Sequence, residues 1–204
     1  MGFMRLDKLS PKDKPYEIDG LPTLYGGKGA WVTALPMPLT STFQHSLVAL
    51  PHPGRGNAEF AEPGEVPVIL ENDDGTGDVP NSNMIAAARW LIDNDAEVEQ
   101  ANIATIRSSL DELINIQKGI DGVTDEAFNE TWEEAPLRPR VRLLHIALPD
   151  VVEKPSYFGV ELACNWDTEN DYGIMFHGTD VVKWRAGDVP NLPWIALRHA
   201  EGRS

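Results

Sequence analysis

The stretch Tyr157–Ala186 constrains this chain most, because its polarity period switches on and off within a short span. From Phe158 the alternate positions Phe158, Val160, Leu162, Cys164 and Trp166 are apolar, while Glu161 and Asn165 fall in the other set. Successive strand side chains point to opposite faces, so this period of two describes a strand with one buried face. Asp167, Thr168, Glu169, Asn170 and Asp171 then supply turn chemistry, and Gly173–His177 resumes an apolar run. His177-Gly178-Thr179-Asp180 turns again, and Val181–Arg185 follows as a third strand. The expectation is a three-strand antiparallel meander that needs a covering layer from the rest of the chain.

The residues upstream supply candidates for that layer. Met1 to about Gly29 is broken by Pro11, Pro15 and Pro22 and reads as a surface arm. Ala30–Leu35, Phe43–Leu50 and Val66–Glu71 have strand character, with Pro67 confining the last to a sheet edge or a strand start. The period then changes to 3.6: Met84, Ile85, Ala88, Leu91 and Ile92 share one helical stripe, with Ser82 or Asn83 placed as N-cap. A second helix is predicted from Asn94, which forms a capping box with Glu97. Its inner face runs through Val98, Asn102, Thr105, Ile106, Leu110, Leu113 and Ile114. A short third helix is predicted at Asp125–Glu134, with Phe128 and Trp132 inward.

Val141–Leu148 returns to strand, with Leu144, Ile146 and Leu148 on one face and His145 on the other. Strands, then helices, then strands make an α+β protein, a mostly antiparallel sheet with a helix pair packed on one face. A single domain spans 30–197, after an arm at 1–29; its last segment is expected to pack by Trp194 and Leu197, and a tail at 198–204 to fray.

Charge narrows the functional classes. Seventeen basic against 32 acidic side chains give a formal net charge of -15. Such a field repels nucleic-acid phosphates and anionic lipid, and speeds encounter with a basic protein. No apolar run approaches membrane-spanning length, so the expectation is a soluble, cytoplasmic protein with no membrane or nucleic-acid partner. Cys164 is the only cysteine, which rules out an intramolecular disulfide and a thiolate metal cluster. It lies on the apolar side of its strand, the position of an inert buried thiol.

Catalytic patterns fail one by one. Asp167, Glu169 and Asp171 are spaced like the start of an EF-hand loop, but Tyr172 stands where that loop needs glycine and Gly178 where it needs its bidentate acid. His45, His52, His145, His177 and His199 show no paired zinc spacing. No nucleophile elbow, phosphate loop or dinucleotide fingerprint is present. The sequence therefore nominates no catalytic residue, no metal ligand and no cofactor.

At Trp166 the chain resembles a bacterial domain family of unknown function that carries a W-D-x-E-H-G-hydrophobic-G hairpin signature. Here the signature stands as Trp166-Asp167-Thr168-Glu169-Asn170-Asp171-Tyr172-Gly173, with Asn170 for the histidine and Asp171 for the first glycine. The segment P-N-S-N-M-I-A-A-A-R-W-L-I-D-N-D is also similar to the family's helix opening, and the likeness covers about Val66 to Gly187. Such domains are often encoded among toxin-immunity genes. The resemblance thus implies an immunity protein that occludes a basic toxin encoded next to it. An enzyme or small-ligand-binding domain built from scattered residues is the alternative. Trp166 and Gly173 are expected to shape the hairpin, with Glu169 capping its backbone. Asp167, Glu169 and Asp171 on the hairpin tip are the first candidates for contact with the partner, and Glu133 and Glu134 the second.

Overall fold

The computed structural model describes residues 14–27, 29–43, 61–72, 77–118, 141–151, 153–164 and 171–203. Among the described residues, eight strands form one sheet in chain order: β1 Lys14–Tyr16, β2 Leu24–Gly27, β3 Ala30–Pro36, β4 Glu65–Glu71, β5 Val141–Pro149, β6 Tyr157–Cys164, β7 Tyr172–His177 and β8 Asp180–Arg185. Every neighbouring pair is antiparallel except β4 and β5, which are parallel. A parallel pair needs a long crossover, and helices α1 (Ser82–Asp93) and α2 (Asp95–Lys118) lie within it. A third helix, α3 (Pro193–Ala200), follows β8. The protein is α+β with a dominant, mostly antiparallel sheet.

The meander forms as its alternation demands. Phe158, Val160, Leu162 and Cys164 enter one hydrophobic cluster with Met84, Ala88 and Leu91 of α1 and Val98 and Ile106 of α2. Phe158 stacks on Phe176 at 5.0 Å between ring centroids and meets Trp90 of α1 at 5.9 Å. A smaller cluster gathers Tyr157 and Met175, which alternate with Phe158 and Phe176, against Val189, Ile195 and Ala196. The two clusters thus draw on opposite faces of β6 and β7.

Several elements depart from the sequence expectation. The sheet begins before Ala30: β1 and β2 pair with each other and with β3, so part of the expected arm is strand. Gly26 permits this, because a Cβ there would overlap the Ala30 carbonyl. β4 is interior rather than an edge, yet Pro67 is tolerated because β4 meets β5 only from Val68 onward. The N-cap of α1 is Asn81, whose side chain accepts the N–H groups of Asn83 and Met84 at 2.9 and 3.0 Å. Asn94 closes α1 and opens α2 at once: its backbone and side-chain N–H groups bond the Trp90 carbonyl, while its own carbonyl accepts the Val98 N–H at 3.0 Å.

Strand β5 carries a bulge at Leu144, since Leu143 opposes Leu162 and His145 opposes Glu161. Val141 and Leu143 therefore join Ile146 and Leu148 in the main core, and Leu144 does not. Helix α3 continues to Ala200, three residues past the expected domain end, with a capped turn beyond. The predicted strand Phe43–Leu50 and helix Asp125–Glu134 lie outside the described residues, apart from Phe43, which ends a 3-10 turn at Thr40–Phe43.

Candidate functional site

Two groups of histidines with polar partners lie on the sheet face that carries α3. The bulge at Leu144 keeps His145 on this face, directly opposite Glu161 of β6. Asn191, at the end of the 3-10 turn Val189–Asn191, reaches both. Its Oδ1 lies 3.1 Å from His145 Nε2, and its Nδ2 donates to Glu161 Oε2 at 3.1 Å. Burial lowers the pKa of His145 below its ordinary value, a shift the Asn191 hydrogen bond only partly offsets. At neutral pH the imidazole is neutral and donates Nε2–H to the amide oxygen. The 3.5 Å approach of His145 to Glu161 is then a polar contact rather than an ion pair.

Two glycines make room for this arrangement. A Cβ on Gly159 would overlap Pro190, and one on Gly173 would stand 2.5 Å from both the Ala186 carbonyl oxygen and Pro190 Cδ. Pro190 therefore lies directly on the backbone of β6 and β7, and Asn191 is delivered to His145 and Glu161. The network acts as a latch holding the C-terminal segment on the sheet. The amide bonds both groups, and His145 Nε2 and Glu161 Oε2 themselves stand 3.5 Å apart.

A second cluster lies further along the same face. Tyr157 stacks on His177 at 4.4 Å, and its hydroxyl meets His199 Nδ1 of α3 at 2.8 Å. His177 Nε2 is buried without a hydrogen-bond partner among the described residues. Burial, helped by the Glu153 carboxylate, raises the Tyr157 pKa, so the phenol stays protonated and joins α3 to the sheet. Among the described residues, no group of three or more His, Cys, Asp or Glu side chains is arranged to hold a metal ion.

Of the nominated partner contacts, only Asp171 is described. It stands half-buried just before β7 with φ of 57°, a left-handed conformation that aspartate tolerates better than most residues. Asp167, Glu169, Glu133 and Glu134 lie outside the described residues, as does Trp166. Gly173 lies within β7, where its missing side chain serves the approach of Pro190. Sequence reasoning did not find His145, Glu161 and Asn191. The available signal was glycine in two strand interiors, at 159 and 173, since such a glycine often marks close approach of another backbone.

The exposed edge strand β8 and helix α3 carry a cationic, aromatic surface. Lys183 and Arg198 stand over the Trp194 ring at 5.7 and 5.9 Å, and Arg185 lies 4.9 Å from the Trp184 ring while pairing with Glu112. No described helix is long and apolar enough to cross a membrane.

No curated protein and no solved structure matches the chain. A family described as "Domain of unknown function (DUF6985)" matches residues 55–191, beginning upstream of β4 and ending at Asn191. The match takes in every member of the latch, Gly159, Gly173 and Pro190 included. It spans well over half of the sequence, and the chain belongs to this family of domains of unknown function.

Proposed function

We propose that this protein is a non-catalytic acidic binding protein of bacterial origin, an immunity protein that neutralises a basic toxin by occlusion in the cytoplasm. The observation that carries the reading is the net charge of -15, which favours encounter with a cationic partner over any polyanion. The helix pair, packed on one face of the sheet, serves as a rigid support, and the β6–β7 connection supplies the contact through Asp167, Glu169 and Asp171. Glu133 and Glu134 provide the secondary contact. The reading is supported by the way His145, Glu161 and Asn191 satisfy one another, which leaves them a structural task.

Co-expression with the product of the neighbouring gene tests the proposal: protection of the cell and a stable complex are expected. Turnover of a small molecule by the isolated protein, with no complex formed, would overturn it. A second reading, an enzyme or small-ligand-binding domain, draws on the 3.5 Å approach of His145 to Glu161. It predicts that Glu161→Gln abolishes ligand binding, whereas the immunity reading predicts unchanged protection by that variant.

A further inference from the structure

We propose that the free edge of β8 pairs with β8 of a second copy of this chain, giving a two-fold dimer whose sheet runs through both protomers. The inference goes beyond toxin binding and uses none of the acids assigned to it. The sheet order ends at β8, which among the described residues pairs only with β7. An open groove of about 340 Å³, lined by Glu112 and by Val181, Val182, Lys183, Trp184 and Arg185, follows this edge. Val181 within it is 44% exposed, an apolar side chain on an edge that no other described strand pairs with.

The strand D-V-V-K-W-R is complementary to itself when reversed. An antiparallel pairing centred between Val182 and Lys183 sets Asp180 opposite Arg185 of the second copy, and the two-fold axis repeats the pair. The same register sets Val181 opposite Trp184, again twice. Opposed unlike charges and aromatic–β-branched pairs are the combinations that stabilise neighbouring strands. An isologous contact of this kind closes on itself and cannot propagate.

Opposed residues must also share a sheet face, and here the bulge in β8 decides the matter. In an unbroken strand Asp180 and Arg185 would lie on opposite faces, as would Val181 and Trp184. The register shift between Met175 and Phe176 inserts Val182 as an extra residue. Val181 then opposes Phe176 and Trp184 opposes Ile174, and both of those partners belong to the main core. Asp180, Lys183 and Arg185 oppose His177, Met175 and Gly173, on the other face. The bulge thus makes the self-complementary register geometrically consistent, and it disfavours the neighbouring registers. Although the Arg185 backbone opposes Gly173, its guanidinium reaches round the sheet edge to Glu112 of α2 and lies 4.9 Å from the Trp184 ring. Both members of that ion pair are about half exposed, so the guanidinium can turn back to a second copy's Asp180. The repulsion between two acidic protomers is largely screened beyond a Debye length of about 8 Å at physiological salt, leaving contact chemistry to set the outcome.

Sedimentation equilibrium of the full chain from micromolar to near-millimolar concentration tests this. The native protein is expected to dimerise. Asp180→Arg or Arg185→Asp alone opposes like charges and should weaken the dimer roughly tenfold to a hundredfold. The double variant D180R/R185D restores the pair and should dimerise again, and mixing the two single variants should give a heterodimer. Val181→Lys, at an exposed position, breaks the same contact without touching the ion pairs, which keeps the test sound where one swap fails to fold. A native protein that stays monomeric throughout overturns the proposal. So does a dimer that tolerates both single swaps, since its contact must then lie elsewhere.

Discussion

Asp95, the first residue of α2, accepts the backbone N–H of Thr40 at 2.9 Å and so ties the helix to a 3-10 turn far upstream in the chain. Its second carboxylate oxygen accepts the Leu39 N–H at 2.7 Å, and the Thr40 hydroxyl donates to the Asp95 carbonyl at 3.4 Å. Asp95 is only 9% exposed, so the bonds form where water does not compete well. Asp95→Ala leaves two backbone donors without their acceptor and should cost about 1–3 kcal/mol of stability. Asp95→Asn keeps one acceptor oxygen and should cost less. Urea unfolding monitored by tryptophan fluorescence measures both, and an Ala variant as stable as the native protein would refute the assignment.

The latch rests on two bare backbone positions. Gly159→Ala places a methyl group inside Pro190 and should lift the Val189–Asn191 turn from the sheet. The expected loss is about 1–3 kcal/mol, as for other overpacked interiors. If the turn is displaced, Asn191 leaves His145 and Glu161 together, so a Gly159→Ala, Asn191→Ala double variant should lose less than the sum of its parts. Full additivity would show that Pro190 and Asn191 are not held as one unit.

His145 makes the latch sensitive to pH. Its folded pKa lies below the ordinary 6.5 because burial disfavours the charged imidazole. The unfolded chain therefore binds a proton first as pH falls, and stability drops between the unfolded pKa and the depressed folded one. Stability from the neutral imidazole is fully present above about pH 6.5, and the loss is complete below the folded pKa. Unfolding free energies at stepped pH through that window should decline in the native protein. His145→Gln, which keeps a donor to Asn191, should flatten the decline. An equal slope in both proteins would remove His145 as its cause.

These particulars show what could be read from residues alone. Phe158, Val160, Leu162 and Cys164 were legible because a strand with one buried face writes its geometry as a period of two. The stripe of α1 was legible for the corresponding reason. The bulges at Leu144 and Val182 were not, since an extra residue in a ladder leaves no compositional mark. β1 and β2 hid behind Pro15 and a glycine pair, which punctuate a turn as readily as an edge strand. His145, Glu161 and Asn191 are brought together by sheet register and a following turn, and no local spacing encodes that meeting.

Cys164 is fully buried in the main core and is in no disulfide. Thiolate formation and reagent access both require opening of β6, so labelling in the native state should be at least ~100-fold slower than in urea. Thiol-reactive chromophore release under both conditions checks this. Comparable rates would mean that β6 opens readily.

The functional proposal makes a kinetic prediction. Long-range attraction between an acidic protein and a basic toxin acts on encounter, because it operates before the short-range contacts form. Raising salt should therefore slow association much more than it changes dissociation. Asp171 has a left-handed backbone at the entry to β7, a conformation that lysine adopts less easily, so Asp171→Asn is the cleaner probe of its charge. That variant, and Asp167→Lys on the same connection, should each slow association several-fold with the melting temperature little changed. Stopped-flow mixing with the neighbouring gene product at stepped salt reads both effects. Association that ignores salt and both substitutions would place the contact away from the β6–β7 connection and remove charge as its guide.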